Sequence, residues 1–271
     1  MVKTKIKRDA FVSLFYILQT IDKLDMYNKL SIRADRERIE QAYGAHFRFP
    51  DIYKPRPIVN GLEESTVPII TSRQQKTIIT SIWGLLPKKF QGDWAVFQKH
   101  VNTLSVPWTS LYSKPWYAQT EETERCLLIV TGFFTTFVHE GEPLFFHMAQ
   151  ESGKPFCLAG ICNELEDGFV TSALITRKAY GSFSEVHNID DQMPVLIPDH
   201  QRREWLEDKI SVNEVDLSAT LTLTAEAVAE DYLYDMHSDA YGDLPHLKEE
   251  DFLPTSLSEL LYQNNIYLDE N

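Results

Sequence analysis

Short apolar runs separated by polar or turn-forming residues dominate the chain between residues 55 and 211. Each run is five or six residues long and is bounded by glycine, proline or charged residues, which is typical of strands in a sheet. Glu140-Gly141-Glu142 and Glu166-Asp167-Gly168 are sequences of the kind that form hairpin turns. The runs that predict strands are Val67–Thr71, Thr77–Ile82, Cys126–Val130, Pro143–Met148 and Val170–Ile175.

Helical periodicity marks a smaller number of segments. Over residues 32–45, one apolar stripe lies opposite a densely charged face, which predicts an amphipathic helix. Shorter helices are predicted near residues 92–101 and 200–208, and alternation within Leu217–Leu223 predicts one more strand. No apolar run approaches the roughly 18 residues that cross a bilayer. The pattern therefore predicts an α+β protein that does not associate with a membrane.

Amino-acid composition indicates the cellular compartment and limits the number of domains. A chain of 271 residues that is 43% hydrophobic and 24% charged is an ordinary globular protein with one large core or two modest ones. Its three cysteines, Cys126, Cys157 and Cys162, are too few for a disulfide framework. They indicate a reducing compartment, so we expect a cytoplasmic protein.

The charge is distributed unevenly and divides the chain into three parts. Residues 226–271 hold twelve acidic residues and one lysine, and therefore −11 of the net charge of −14. Residues 1–25 are a basic and apolar extension without the small-residue cleavage site of a signal peptide, and they could reflect a start codon assigned upstream of Met26. We therefore expect an extension (1–25), a folded domain (26–225) and an acidic C-terminal segment (226–271).

One histidine stands in a position suited to proton transfer. His187 precedes the apolar run Met193-Pro194-Val195-Leu196, and an imidazole can act as a general acid or base near neutral pH. The same pattern fits a histidine with satisfied hydrogen bonds at the mouth of a strand. The sequence lacks a glycine-rich phosphate loop, a His-Glu-x-x-His helix and a second metal-binding pair beside Cys157 and Cys162, so we expect no cofactor and no metal.

Several short motifs follow one another between about Met26 and Asp208. They include Tyr53-Lys54-Pro55-Arg56, Trp83-Gly84-Leu85-Leu86-Pro87, Asn102-Thr103-Leu104-Ser105, Gly132-Phe133-Phe134, His187-Asn188 and Met193-Pro194-Val195-Leu196. Taken in this order, the motifs resemble the SOS-response-associated peptidase (SRAP) family of abasic-site processing proteins. The family implies an α+β fold in which curved, mostly antiparallel sheets with flanking helices surround a groove that binds single-stranded DNA.

The resemblance also implies a chemistry. Family members use a cysteine directly after the initiator methionine, and its freed α-amine and thiol capture the aldehyde of an abasic site as a thiazolidine. A groove asparagine, a glutamate and a histidine support that reaction by moving protons. In this sequence His187 matches the histidine, Asn102 the asparagine, and Thr176 a threonine that faces the DNA backbone.

Other positions depart from the family pattern. Tyr27 stands where the cysteine belongs, and Thr135 stands where the glutamate belongs. Leu104 and Gln192 replace two arginines. The framework of glycine, proline and apolar residues remains while the nucleophile is missing, which indicates a retained fold whose covalent crosslinking is lost.

Three functions stay open at this point. The first is a monomeric SRAP-like protein of the DNA-damage response that binds single-stranded DNA at abasic sites through His187, Asn102, Thr176 and Trp83. Trp83 would stack on a base, although composition alone favours a core position for it. The second is an enzyme, either an abasic-site lyase or a peptidase-like hydrolase, in which His187 activates the hydroxyl of Ser105 or Thr135.

The third is a non-enzymatic interaction module. Its acidic C-terminal segment would bind a basic protein partner or mask the groove. Whether the protein is an enzyme stays open, and the substitutions at Tyr27 and Thr135 favour the absence of activity. Positive charge around His187 would favour a nucleic acid, and negative charge would favour a protein partner.

Overall fold

Two β-sheets form the body of the protein in a computed structural model, which describes residues 27–111, 123–180, 183, 186–218 and 223–234. The strands, in chain order, are β1 (Lys29–Ile32), β2 (His46–Phe47), β3 (Arg56–Asn60), β4 (Thr66–Thr71), β5 (Thr77–Trp83), β6 (Ser105–Pro107), β7 (Glu124–Val130), β8 (Gly132–His139), β9 (Glu142–Gln150), β10 (Phe156–Glu164), β11 (Val170–Lys178), β12 (Gln192–Pro194), β13 (Leu196–Ile197) and β14 (Leu223–Val228). The helices are α1 (Arg36–Tyr43), α2 (Trp94–Val101), α3 (Arg202–Leu206) and α4 (Glu230–Tyr234), with 3₁₀ turns at Pro50–Ile52, Trp108–Ser110, Asp199–Gln201 and Val212–Glu214.

The first sheet is fully antiparallel, in the order β14-β9-β8-β1-β3. The second has the order β12-β11-β10-β7-β4-β5-β2, with β13 on β10 and β6 on β11. Strand β11 also pairs in parallel with β5, so β5, β4, β7, β10 and β11 close into a ring. This architecture confirms the predicted α+β class with mostly antiparallel sheets.

Local sequence explains the ends of the first helix. The Asp35 side chain accepts a hydrogen bond from the Arg38 backbone N–H, and Gly44 ends the helix in the left-handed conformation with φ 57°. The predicted helix over 32–45 is therefore correct in its centre but too long at its start. Ile32 belongs to β1, where it is buried in the main core.

The two hairpin turns also follow from the sequence. Glu140 and Gly141 both have positive φ, at 51° and 91°, between the paired residues His139 and Glu142. Gly168 has φ 85° between β10 and β11. Since glycine adopts this backbone conformation without steric cost, the turn sequences fix where the strands reverse.

The last strand lies further along the chain than the alternation predicts. The described strand runs over Leu223–Val228; of the predicted stretch Leu217–Leu223, residues 217–218 lie in no strand, and residues 219–222 lie outside the described residues. It pairs with β9 along its whole length, from Leu223 opposite Gln150 to Val228 opposite Phe145. The strand and α4 therefore extend the folded unit past the expected boundary at residue 225. The extension 1–25 and the acidic residues after 234 lie outside the described residues.

Candidate functional site

His187 lies in a buried polar cluster beside the first sheet. Its Nδ1 is 2.7 Å from the hydroxyl of Thr135 on β8, and its Nε2 is 2.9 Å from a carboxylate oxygen of Asp190. The ring of Tyr27 lies 5.3 Å from the imidazole, centroid to centroid. The structure therefore brings together the histidine and the two substituted family positions, which are far apart in the sequence.

The hydrogen bonds define the orientation of each proton. The Asp190 carboxylate accepts the backbone N–H of Gln192 at 2.8 Å, and a carboxylate offers only acceptors. The Nε2 of His187 must then be the donor to Asp190. In a neutral imidazole the Nδ1 is therefore an acceptor, and the Thr135 hydroxyl donates to it.

A neighbouring asparagine holds the histidine against β8. The side chain of Asn188 accepts from the backbone N–H of Val138 at 2.7 Å and donates to the Val138 carbonyl at 2.9 Å. These two bonds attach the loop after β11 to the strand that carries Thr135. The family motif His187-Asn188 thus has a structural explanation that does not depend on a substrate.

Tyr27 fills the position next to the histidine. Its side chain is 3% exposed, packs edge-on against Phe133, and donates its hydroxyl proton to the Gln192 carbonyl at 2.6 Å. Burial raises the pKa of the Tyr27 phenol well above its ordinary value, and the negative charge of Asp190 raises it further. The phenol therefore stays protonated at neutral pH and is a poor nucleophile.

Thr176 belongs to the same cluster but does not face solvent. It is 1% exposed, its strand position lies opposite Pro194, and its hydroxyl donates to the Gln192 side chain at 3.3 Å. The resemblance predicts that Thr176 faces the DNA backbone, but in the structure this residue does not reach the surface. Its hydroxyl is turned towards the protein interior instead.

Asn102 lies apart from the cluster. It is exposed at the C-terminal end of α2, with φ 33°, and its side chain accepts from the Leu104 backbone N–H at 3.2 Å. Within the described part of the chain, no hydrogen bond joins Asn102 to His187, Thr135 or Asp190. The structure therefore does not group this predicted site residue with the others.

Trp83 is a core residue, which corrects its prediction as a stacking platform. Its side chain is 0% exposed, and its indole N–H donates to the Leu104 carbonyl at 2.9 Å. The chain passes so close that a Cβ at Gly61 would lie 2.8 Å from the ring. A ring enclosed in this way has no face on which a base could stack.

The two candidate hydroxyls differ in their contacts with His187. Thr135 is within hydrogen-bonding distance of the imidazole. Ser105 lies on β6 opposite Leu174, and the described hydrogen bonds include none between it and His187. Of the two residues considered for a hydrolase, the geometry retains Thr135.

The charge beside the cluster is mixed in sign. Asp190 and the exposed Asp191 lie on the loop before β12. Arg177 and Lys178 lie on β11, where Lys178 is opposite Gln192. The sign of this surface therefore favours neither a nucleic acid nor an acidic or basic protein partner.

Sequence reasoning missed both Asp190 and a second buried histidine. Asp190 follows His187 by three residues, a spacing that could have suggested the pair. On the opposite face of the first sheet, His147 Nε2 lies 2.8 Å from the Ser31 hydroxyl, which in turn lies 3.2 Å from that of Thr131. Burial lowers the pKa of His147 to about 3, and the charge of Arg33 acts in the same direction.

Metal sites and membrane spans are two further classes of feature to consider in the described residues. No group of three or more histidine, cysteine, aspartate or glutamate side chains in these ranges could hold a metal ion. No helix in them is long and apolar enough to cross a membrane.

Several crystal structures share this fold. A protein from Bacteroides thetaiotaomicron has 19% sequence identity and a TM-score of 0.67, with 79% of this chain and 97% of that chain covered. A protein from Bordetella bronchiseptica has 16% identity and a TM-score of 0.60, with 74% and 99% covered. A phage-related protein from the same organism has 15% identity and a TM-score of 0.52, with 75% and 94% covered.

A match to a protein family identifies the chain more specifically than its likeness to these structures does. No curated protein matches the chain. Residues 26–233 match the family described as SOS response associated peptidase (SRAP). This range begins beside Tyr27, includes the His187 cluster, and ends inside α4. The chain therefore belongs to the SRAP family.

Proposed function

We propose that this protein binds single-stranded DNA at abasic sites in the DNA-damage response without forming a covalent crosslink. Membership of the SRAP family associates the chain with abasic-site processing and with DNA. The observation that carries the loss of crosslinking is the buried, hydrogen-bonded phenol of Tyr27 at the position of the family nucleophile.

The proposed loss follows from the chemistry of aldehyde capture. Closing a thiazolidine needs an amine that forms an imine and an adjacent thiolate that attacks it. Tyr27 offers a phenol whose proton is already donated to Gln192 and whose pKa is raised by burial. Thr135 offers a hydroxyl where a carboxylate would move protons.

No cysteine elsewhere is suited to replace the missing thiolate. Cys126, Cys157 and Cys162 are all buried in the second sheet. Burial raises the pKa of the Cys157 thiol to about 12 and raises that of Cys126 well above its usual value. A thiol that stays protonated and is shielded from solvent does not attack an aldehyde.

Non-covalent affinity would come from contacts outside the buried His187 cluster. The two arginine positions of the family are Leu104, which is buried, and Gln192, which contacts Asp191 and Thr176. Since phosphate contacts by arginine and lysine dominate such binding, we expect a weak and salt-dependent complex.

The experiment is a titration of single-stranded DNA with and without one abasic site, followed by a denaturing gel. We expect saturable binding and free DNA on the gel, for both the wild-type chain and the Tyr27→Phe variant. Absence of binding would refute the DNA-binding half of the proposal. An adduct that survives heat and denaturant would refute the half that concerns crosslinking.

A second candidate function is favoured by the chain of hydrogen bonds from Thr135 through His187 to Asp190. A hydroxyl, an imidazole and a carboxylate in that order form the set that activates a nucleophile in hydrolases. Thr135 would attack the carbonyl carbon of an ester while His187 takes its proton and passes it to the departing alcohol, and water would then release the acid from the acylated Thr135. Both side chains are buried, so this candidate ranks second.

An activated ester separates the two candidates. The hydrolase predicts turnover that is lost in Thr135→Val and is retained in the adjacent Thr136→Val. Turnover equal to that of buffer in the wild-type protein would reject the hydrolase and leave the binding function standing.

A further inference from the structure

We propose that the exposed ring of Phe49 is a platform on which a base of single-stranded DNA stacks, while adjacent basic side chains hold the backbone. This inference rests on the proposed function, because it names the surface through which the strand would bind. The Phe49 loop is defined here as residues 48–56.

The loop presents its aromatic ring outward. Phe49 is 59% exposed, and Ile52 beside it is also exposed. Phe49 and Phe169 are the two aromatic side chains among the exposed large apolar residues of the described ranges. A base needs an open ring face of this kind, which the enclosed Trp83 does not offer.

Contacts at both ends fix the backbone of the loop. The Arg48 backbone N–H donates to the Ile78 carbonyl at 2.9 Å, which anchors the start of the loop to β5. The Tyr53 ring packs on Phe47 with centroids 4.4 Å apart, and its hydroxyl donates to the Ala34 carbonyl at 2.7 Å. Pro50 further restricts the turn between them. The ring is thus held on an ordered loop, which lowers the entropic cost of binding.

The loop is locally basic in a chain of net charge −14. It contains Arg48, Lys54 and Arg56 against a single acid, Asp51. Arg48, directly before Phe49 in the sequence, and Lys54, five residues after it, are both exposed. Asp51 also lies close enough to Arg36 on α1 to raise the pKa of that guanidinium, although Glu37 is the larger cause. The charge within the loop is therefore net positive, which complements a polyanion.

Stacking beside basic groups selects single strands. Successive bases of single-stranded DNA expose their π-faces, and each stacked base contributes about 1–3 kcal/mol on alanine substitution. In a duplex these faces are covered by neighbouring base pairs, so only the phosphate contacts would remain. The surface is expected to tolerate any sequence, because every base has a π-face.

The chain supplies a matched control. Phe169 is 62% exposed, close to the value for Phe49, and it also follows a turn. Its exposed neighbours are acidic, at Glu166 and Asp167, and its backbone N–H donates to the Asp167 carboxylate. These carboxylates should repel the phosphates that accompany any base stacked on Phe169.

The test is a titration of labelled oligothymidylate into the full chain at low and moderate salt. Phe49→Ala is expected to weaken binding about fivefold or more, since ~1 kcal/mol corresponds to that factor. Phe49→Trp should keep or improve the affinity, and Phe169→Ala should leave it unchanged. Arg48→Gln should weaken binding and reduce the salt dependence by about 0.7 in slope, as for one lost phosphate contact.

The remaining outcomes reject either the platform alone or both proposals. If the wild-type chain binds and Phe49→Ala binds equally well, the platform is rejected and the proposed function stands. An equal loss in Phe169→Ala, or equal affinity for a duplex, would also reject the platform. If the wild-type chain does not bind oligothymidylate, the platform is rejected, and if it also fails to bind single-stranded DNA with an abasic site, both proposals fall.

Discussion

The His187 cluster and the Phe49 loop differ in nearly every physical property. In the cluster, Tyr27 and His187 are both 3% exposed, and their polar atoms are bonded within the protein. In the loop, Phe49 is 59% exposed, and the basic residues Arg48 and Lys54 are exposed as well. The first region is built like a core and the second like a contact surface. Under the proposed function, the buried cluster would contribute no covalent chemistry, and the exposed loop would supply the contact with DNA.

The two regions should respond oppositely to substitution. Removing one partner from the cluster leaves a buried polar atom without its hydrogen bond, which lowers the free energy of unfolding. Changing an exposed side chain of the loop should leave that free energy within about 0.5 kcal/mol. Stability and DNA affinity are therefore separate measurements of the two regions.

The largest expected change in the free energy of unfolding comes from removing the buried ring of Trp83, and the exposed ring of Phe49 serves as the comparison. Trp83→Ala should lower the free energy of unfolding by about 3–5 kcal/mol, because it opens a cavity in the core and frees the Leu104 carbonyl. Denaturant unfolding measures this, with Phe49→Ala as the control. Equal stability of the two variants would contradict the core position of Trp83.

A pH titration tests the second buried histidine. The folded-state pKa of His147 is about 3, below the unfolded value of roughly 6.5, so the unfolded chain binds the proton first. Stability should fall as the pH drops from roughly 6.5 towards 3, by up to ~1.4 kcal/mol per pH unit from this group. His147→Gln should flatten that dependence. A wild-type profile that is flat between pH 6 and 4 would contradict the burial of a neutral imidazole.

A smaller loss is expected from the hydroxyl that contacts His187. Thr135→Val keeps the shape of the side chain but removes the donor to Nδ1, which should cost about 1–3 kcal/mol of unfolding free energy. Thr136 is half-buried on the opposite face of the same strand, so Thr136→Val serves as the matched control with a change of about 0.5 kcal/mol or less. Equal values for the two variants would show that the bond to His187 adds nothing.

The smallest effect concerns the acidic residues after α4. Residues 235–271 hold nine acids and one lysine. If this stretch opposes nucleic-acid binding, ending the chain after Tyr234 should raise the affinity for single-stranded DNA at low salt, and moderate salt should reduce the gain. An unchanged affinity in a folded truncation would reject this role. A cut after residue 225 would not be a fair test, because it removes half of β14.

Much of the fold could be predicted because its signals are local. Alternation fixed β4, β5 and β11 within one to three residues, and capping residues such as Asp35 and Gly44 mark the ends of α1. The position of β14 was misjudged because its alternation continues into acidic residues, where charge suggested a solvated segment. Pairing with β9 decides its true extent, and that pairing is not visible in the sequence.

Site residues could be predicted only where they stand at positions that the SRAP family uses. Tyr27, Thr135 and His187 were grouped in this way, and the structure places them in contact. Composition favours a core position for Trp83, and the structure buries it, whereas the exposure of Phe49 depends on tertiary packing that the sequence does not reveal. Asp190 was missed for the same reason, because the path of the loop determines which carboxylate reaches the imidazole.

The most direct test of the central claim compares Tyr27 with the nucleophile that it replaces. Wild type, Tyr27→Phe and a chain that begins at Met26 with Tyr27→Cys are each incubated with single-stranded DNA that carries an abasic site, and the products are separated on a denaturing gel. We predict no stable adduct for the first two, and partial crosslinking for Tyr27→Cys because Thr135 still supplies no carboxylate. A heat-stable adduct formed equally by wild type and Tyr27→Phe would contradict the account.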